Sequence, residues 1–570
     1  MSTTTILYRD IAPGAIDGAQ ITATEATPFS DPSMLADDEH YVSQAATLER
    51  NVWTLDGTRR IYGGGTEPYW SSVLSGDDCT LDPAPVVTLT LDGTYTSPGI
   101  TLVFDTSSSG GYCSDVLICW YRSGALLTEK AFSPDRSIYF CQTTVEQFDK
   151  VEITLRKTAL PACYAKLSQV IIGVTRVFDM SQIRSARVVA QADLLAQELP
   201  ASVLEWVLDS SEDVEYIFQE RQPFEVRCTG FGQQEESSST VGVYYLSDSR
   251  RTAKRIYSLN CEDAIGVLER DSFSGGVYNG YSARQLISDI VDGQFEVVYD
   301  PSSGIGDESL TGILMPSTRR EALQQVLFAC CGVIDTSRIT GINMYRASHT
   351  TQTIILSDRK FMSPAHSIKQ MDLITDVEVT AHKYIKGSEL KDAYKANLDP
   401  GIYEVSLKSP FTDYTAINCT ILESDYFRIK LQIDVAAEVK VQGHPYEDSA
   451  TIYRKAMPEL PAGSFRNSKQ VTDATLGSES NAARVPEHLY EYYQYRLNHE
   501  LKIICEDEKV GNFSAVKTQQ NMVAVVLESM SLDLTGGFLA SCKGIGYALK
   551  IGDYDYAGNE LKTRHEIGVM

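Results

Sequence analysis

The chain has 570 residues, 43% hydrophobic and 22% charged, a composition that buries cores and excludes intrinsic disorder as the dominant state. At about 100–200 residues per domain this length predicts roughly three to five domains. Fifty basic against 76 acidic side chains leave a net charge of −26, a field that repels nucleic-acid phosphates and anionic lipid and argues against a nucleic-acid binder.

Met1 to Asp10 has neither a basic start nor an apolar run, and the longest strongly apolar run, Val326 to Ile334, is shorter than the ~18–20 residues that span a bilayer. The expectation is a soluble chain made in a cytoplasm, with no signal peptide and no membrane anchor. Strand signals dominate from about Asn51 to Val174, as Val86–Leu91, Ile100–Phe104, Val116–Tyr121, Ser137–Cys141 and Val151–Leu155, a spacing that predicts a sandwich or jelly roll. A second β region opens near Ser185 with Val203–Asp209, Phe224–Cys228, Val241–Leu246 and Ile256–Leu259. The period then changes to helical at Ala283, Leu286, Ile287, Ile290 and Val291. Thr318 and Glu321 form a capping box for a helix presenting Ala322, Val326, Ala329 and Cys330, with Gly332 marking its end.

Strands resume at 375–384, 402–408 and 428–441, and 397–401 and 458–468 are candidate connectors. A helix is predicted over 482–497 with the stripe Ala482, Val485, Leu489, Tyr493 and Leu497, and Pro486 falls at its first turn or kinks it. Strands at 501–506 and 522–534 follow. The fold class is therefore mainly β (α+β), with a few short helices.

The residues give little support to catalysis. Eight dispersed histidines and no Cys-x-x-Cys pair provide no local zinc spacing, and Asp553–Gly558 departs from a calcium loop at Ala557 and Arg564. Gly63-Gly64-Gly65 lacks the rest of a phosphate loop, and Cys330-Cys331 reads as core packing. The twelve cysteines, Cys119, Cys141 and Cys228 among them, read as reduced core thiols. No catalytic, metal or cofactor residue is assigned, and the protein is expected not to be an enzyme. Among the aromatics, Trp120 reads as core, Trp70 and Trp53 are candidate glycan contacts, and the tyrosines of 490–495 read as a half-buried helix face.

Five segments, in this order, carry a resemblance to the baseplate hub or tail-tip (tail-associated) proteins of tailed bacteriophages. They are Val203–Asp209 followed by Gln219–Arg227, then Val243–Leu246 with Tyr257–Leu268, then Pro316–Val326, the 482–496 helix, and Leu532–Ala540. Residues 51–177, with Asn51–Gly57, Gly99–Phe104, Trp120-Tyr121 and Phe148–Ile153, resemble discoidin-like jelly rolls of the carbohydrate-binding-module kind. The resemblance implies an N-terminal segment over 1–50 packing on the hub or a neighbouring ring, the jelly roll over 51–177, a first hub β-barrel over 178–275, an α/β connecting domain over 276–370, and a second hub barrel with the late helix over 371–570. It further implies a homotrimeric ring at the distal tip of the virion tail. The expected partners are a distal tail protein ring, a tape measure protein, and a receptor-binding protein or tail fibre. DNA would meet the chain only while passing through the lumen, eased by a negative lumen surface. Two other readings stand beside this one: an adhesin binding host cell-wall polysaccharide through 51–177, and a glycan-active hydrolase.

Overall fold

The computed structural model describes residues 3–549 apart from 12–17, 37–44, 47–48, 50–59, 62–66, 106–110, 212–217, 219–221, 230–237, 340, 347–353, 357–360, 478–480, 507 and 518–521. The chain divides into one unit of residues 7–177 and another of residues 1–6 and 178–570.

In the first unit, period-two alternation places Val87, Leu89 and Leu91, then Ile100, Leu102 and Phe104, in the core. Both sets belong to one 19-residue strand, Val86–Phe104. The polar segment between them therefore bends a strand instead of ending it. Its antiparallel partner Ile138–Thr158 likewise merges two expected strands, with Val86 opposite Thr154 and Val103 opposite Ile138 and register shifts in the middle. Gln20–Ala23 flanks the first half of Val86–Phe104, and Tyr164–Phe178 flanks the second. Cys113–Arg122, Ala125–Phe132 and Tyr69–Leu74 complete the two sheet halves. Trp120, Phe148, Val151 and Leu167 lie in their common core. The expected jelly roll corresponds to this pair of joined halves, and the described pairings do not define a closed roll. Ile21 and Ala23 pack on the same core, so this part of the 1–50 segment lies with the sheet that follows it.

In the second unit, nine strands succeed one another by antiparallel pairing. The order is Phe361–Gln370, Leu497–Ile504, Leu539–Leu549, Met522–Asp533, Ile183–Gln191, Val203–Asp209, Ile256–Glu262, Ser238–Ala253 and Pro223–Thr229. Met522–Asp533 joins the halves, because its first residues also pair with Phe513–Lys517 while Ser529–Asp533 pairs with Ile183–Gln191. The two separate barrels expected at 178–275 and 371–570 thus share one sheet, and the described pairings do not define a closed barrel. Phe178, Trp206, Phe218 and Phe224 fill the space under Val203–Asp209 with ring centroids 5.0 to 5.9 Å apart. Thr4 reaches this sheet from the N-terminus, its hydroxyl donating to Leu534 O at 2.6 Å.

Among the described residues four α-helices, α1 (Ala264–Leu268), α2 (Ala283–Val291), α3 (Arg319–Cys330) and α4 (Arg484–Tyr493), contribute to one core. All five predicted stripe residues of α2 are buried. The α3 capping box is present, Thr318 Oγ1 accepting from Glu321 N and Thr318 N donating to Glu321 Oε2, both at 3.1 Å. The left-handed residue ending α3 is Cys331, at φ 52°, one position before the expected Gly332. Gly332 is closely packed, since a Cβ there would lie 2.4 Å from Ile305 Cδ1 and displace that side chain. Pro486 occupies the first turn of α4, where no backbone donor is lost. That helix ends at Tyr493, and Leu497 begins a strand instead of continuing the stripe.

Residues 376–474 form sheets of their own, outside the shared sheet. Ala437–Ala456 spans 20 residues, pairing with Lys391–Leu398 and Phe411–Ile417 at one end and Asp376–Lys386 at the other. A three-stranded sheet of Gly401–Ser406, Arg428–Ile433 and Thr420–Ser424 packs with it around Phe411, Leu431, Val439 and Val441.

Candidate functional site

Alternation along the shared sheet sends Met530, Leu532, Ala540 and Cys542 inward and Ser529, Ser531, Asp533, Ser541 and Lys543 toward solvent. Register aligns the outward residues of neighbouring strands. Asp533 lies opposite Arg187, Arg187 opposite Glu205 and Glu205 opposite Asn260. A second row runs Ser367, Glu500, Lys543, Ser529. A third runs Lys502, Ser541, Ser531. The rows border two shallow depressions of about 330 and 390 Å³, the first including Glu500, Lys502 and Ser541, the second Ser185, Arg187 and Asp533.

This face is polar and charge-balanced. Arg187 pairs with Glu205 at 2.5 Å and Lys543 with Glu500 at 3.6 Å, all four largely exposed; such pairs contribute ~0–1 kcal/mol each but cancel the local field. Three acids, Glu205, Glu500 and Asp533, face three bases, Arg187, Lys502 and Lys543. The chain's excess negative charge is therefore not concentrated on these rows.

Burial shifts several titratable groups behind this face. His366 Nε2 and His499 Nδ1 are 3.0 Å apart with stacked rings. Burial lowers both pKa values, and with His366 alongside, that of His499 falls to about 4. The Tyr492 hydroxyl donates to the Glu528 carboxylate, whose pKa is raised by burial. Tyr495 stacks on Tyr547 at 5.1 Å. The tyrosines of the late helix thus serve packing, as expected. Burial pushes Cys330 up to about 12 and Cys331 in the same direction, which disfavours thiolate chemistry. Among the described residues no group of three His, Cys, Asp or Glu side chains is placed to hold a metal.

Of the two candidate glycan contacts, Trp53 lies outside the described residues. Trp70 is 3% exposed. Its ring stacks with Tyr164 at 6.3 Å, meets Phe29 edge-on at 5.6 Å and carries Lys166 Nζ 4.3 Å from its centroid. Lys166 also binds Glu49. That packing is a core packing and leaves no open face for a sugar in this conformation. Trp120, read as core, is 1% exposed. Sequence reasoning missed the serine-rich sheet face; its signal was the hydroxyl-apolar alternation of Ser529-Met530-Ser531-Leu532, read only as a strand.

No family model matches the sequence, and no curated protein does. Among solved structures, the chain is similar to the tail protein from Neisseria meningitidis MC58, with 11% identity, a TM-score of 0.40, and coverage of 65% of this chain and 93% of that one. It is similar to the 43 kDa tail protein of prophage MuSo2 from Shewanella oneidensis, with 9% identity, a TM-score of 0.38, and coverage of 65% and 94%. The family 32 carbohydrate-binding module of C. perfringens NanJ, in complex with galactose, aligns over 31% of this chain and all of its own length, with 11% identity and a TM-score of 0.20. No residue role follows from likenesses of this size.

Proposed function

We propose that the chain is a structural protein of the distal end of a phage tail, a hub that assembles as a ring, three copies in the reading the family resemblance implies. One observation carries this reading. Segments resembling the hub family, scattered from Val203 to Ala540, meet in one unit: Val203–Asp209, Ile256–Glu262 and Pro223–Thr229 share a sheet with Leu539–Leu549, and the stripes of α3 and α4 enter a common core.

In this reading the charge-balanced serine-rich face borders the channel. Lacking a run of unpaired cations, it offers DNA no phosphate grip as the genome passes. A distal tail ring and the tape measure protein adjoin the hub inside the tail, and receptor-binding proteins or fibres attach outside. Gold labelling of purified particles with an antibody to this chain, viewed by negative-stain electron microscopy, tests the proposal. Label confined to the tail's distal end is expected; unlabelled particles beside abundant free protein would defeat it.

A further inference from the structure

The hairpin of Ser238–Ala253 with Ile256–Glu262 differs in charge between its two ends. All residues from Ser247 to Arg255 are exposed. This tip carries Arg250, Arg251, Lys254 and Arg255, and Arg184 stands beside it through Asp209, which binds Arg184 at 2.5 Å and Arg255 at 2.9 Å. Arg251 donates to the Tyr257 hydroxyl. Arg250 and Lys254 have no carboxylate partner among the described residues. Five cations against Asp209 and Asp248 make the tip positive on a chain of net charge −26.

The root of the hairpin has the opposite character. Tyr245 meets Phe295 edge-on at 5.5 Å; residues 285–318 contain no Lys or Arg, and Arg284, just before them, lies 4.2 Å over the Tyr299 ring. Asp289, Asp292, Glu296 and Asp307 are exposed there, and only Asp292 has a cationic partner among the described residues, Arg319 at 2.9 Å. Val298, 48% exposed, adds apolar surface to the acidic stretch. Five residues of strand separate Tyr245 from Arg250 and eight separate it from Ala253, about 17 to 26 Å at ~3.3 Å per residue.

We infer that the basic hairpin tip of one copy docks on the acidic 289–307 stretch of a second copy of this chain. Two different, complementary patches make a heterologous contact, the kind that closes into a ring, and local attraction offsets the repulsion between chains of like net charge. A nucleic acid fits the tip less well, because Asp209 and Asp248 interrupt it and the whole-chain field opposes phosphate. The inference rests on the ring reading above.

Sedimentation velocity and native mass spectrometry of the full chain at 50 and 500 mM salt test it. Association at low salt that weakens at high salt is expected. Arg250→Glu with Lys254→Glu should weaken association at least tenfold, as should Asp289→Lys with Glu296→Lys; combining all four should restore it. That restoration, with unchanged circular dichroism, separates the contact from misfolding. Assembly indifferent to every reversal overturns the inference and leaves the ring standing, whereas a chain monomeric at all concentrations overturns both. Binding of a 30-base-pair DNA duplex that is lost in R250E/K254E, with assembly unchanged, would put nucleic acid in place of the second copy.

Discussion

Glu49 and Lys166 form an ion pair whose side chains are 1% and 5% exposed, and Glu49 also accepts from Tyr164 N at 2.7 Å. Removing one partner leaves the other charge buried without compensation, so Glu49→Ala should cost ~3–5 kcal/mol in the 7–177 unit. Urea unfolding followed by tryptophan fluorescence measures this, and Glu49→Met with Lys166→Met should recover most of the loss. Histidines give opposite pH signatures. His382 is opposed by burial, yet both ring nitrogens face acceptors, Thr472 O and Asp448 Oδ2, each at 2.7 Å, and its pKa is raised. Its stabilisation is complete below the ordinary value near ~6.5 and fades as pH rises through the folded value. The His366–His499 pair has lowered pKa values, so its stabilisation is present above ~6.5 and is lost as pH falls toward about 4. Thermal scans from pH 4 to 8.5 should show His382→Gln costing most at acid pH, while His499→Leu flattens the acid limb of the wild-type curve. None of these pairings was legible from spacing. Residue 366 meets 499 only because Phe361–Gln370 pairs with Leu497–Ile504, a choice made by the whole sheet.

At the scale of elements, local signals were reliable where local chemistry decides. The capping box before α3 is such a case. Thr318→Ala removes it and should cost ~1 kcal/mol, read from urea midpoints. Gly275 is required for a backbone reason: its φ is +73° and a Cβ would sit 2.4 Å from Leu314 O, so Gly275→Ala should destabilise the second unit by ~1–3 kcal/mol in the same assay. Alternation revealed which residues of Val86–Leu91 and Ile100–Phe104 face the core. It did not reveal that they are one strand, because a bend costs little when a partner of equal length, Ile138–Thr158, bends with it. The late helix was read too long for a related reason: Leu497 continues the apolar period, but its backbone is taken by Gly546 across the sheet.

Over the whole molecule, the joining of two expected barrels through Met522–Asp533 was not legible, since no local signal marks a strand with different partners along its length. A chain ended after Lys517 would lose that strand and Leu539–Leu549, exposing the edge of Ile183–Gln191 and the face under Leu501 and Ile503. It is expected in the pellet when a lysate is centrifuged, with the full chain in the supernatant.

The shared strand also sets a timetable for synthesis. Val188 pairs with Leu532, which follows it by 344 residues. At ~5–20 residues per second a ribosome needs about 20–70 s to supply that partner. For this interval every nascent copy presents an unfinished strand edge to its neighbours on the same messenger. The excess of acidic side chains gives those unfinished chains a mutual repulsion that acts before any particle exists.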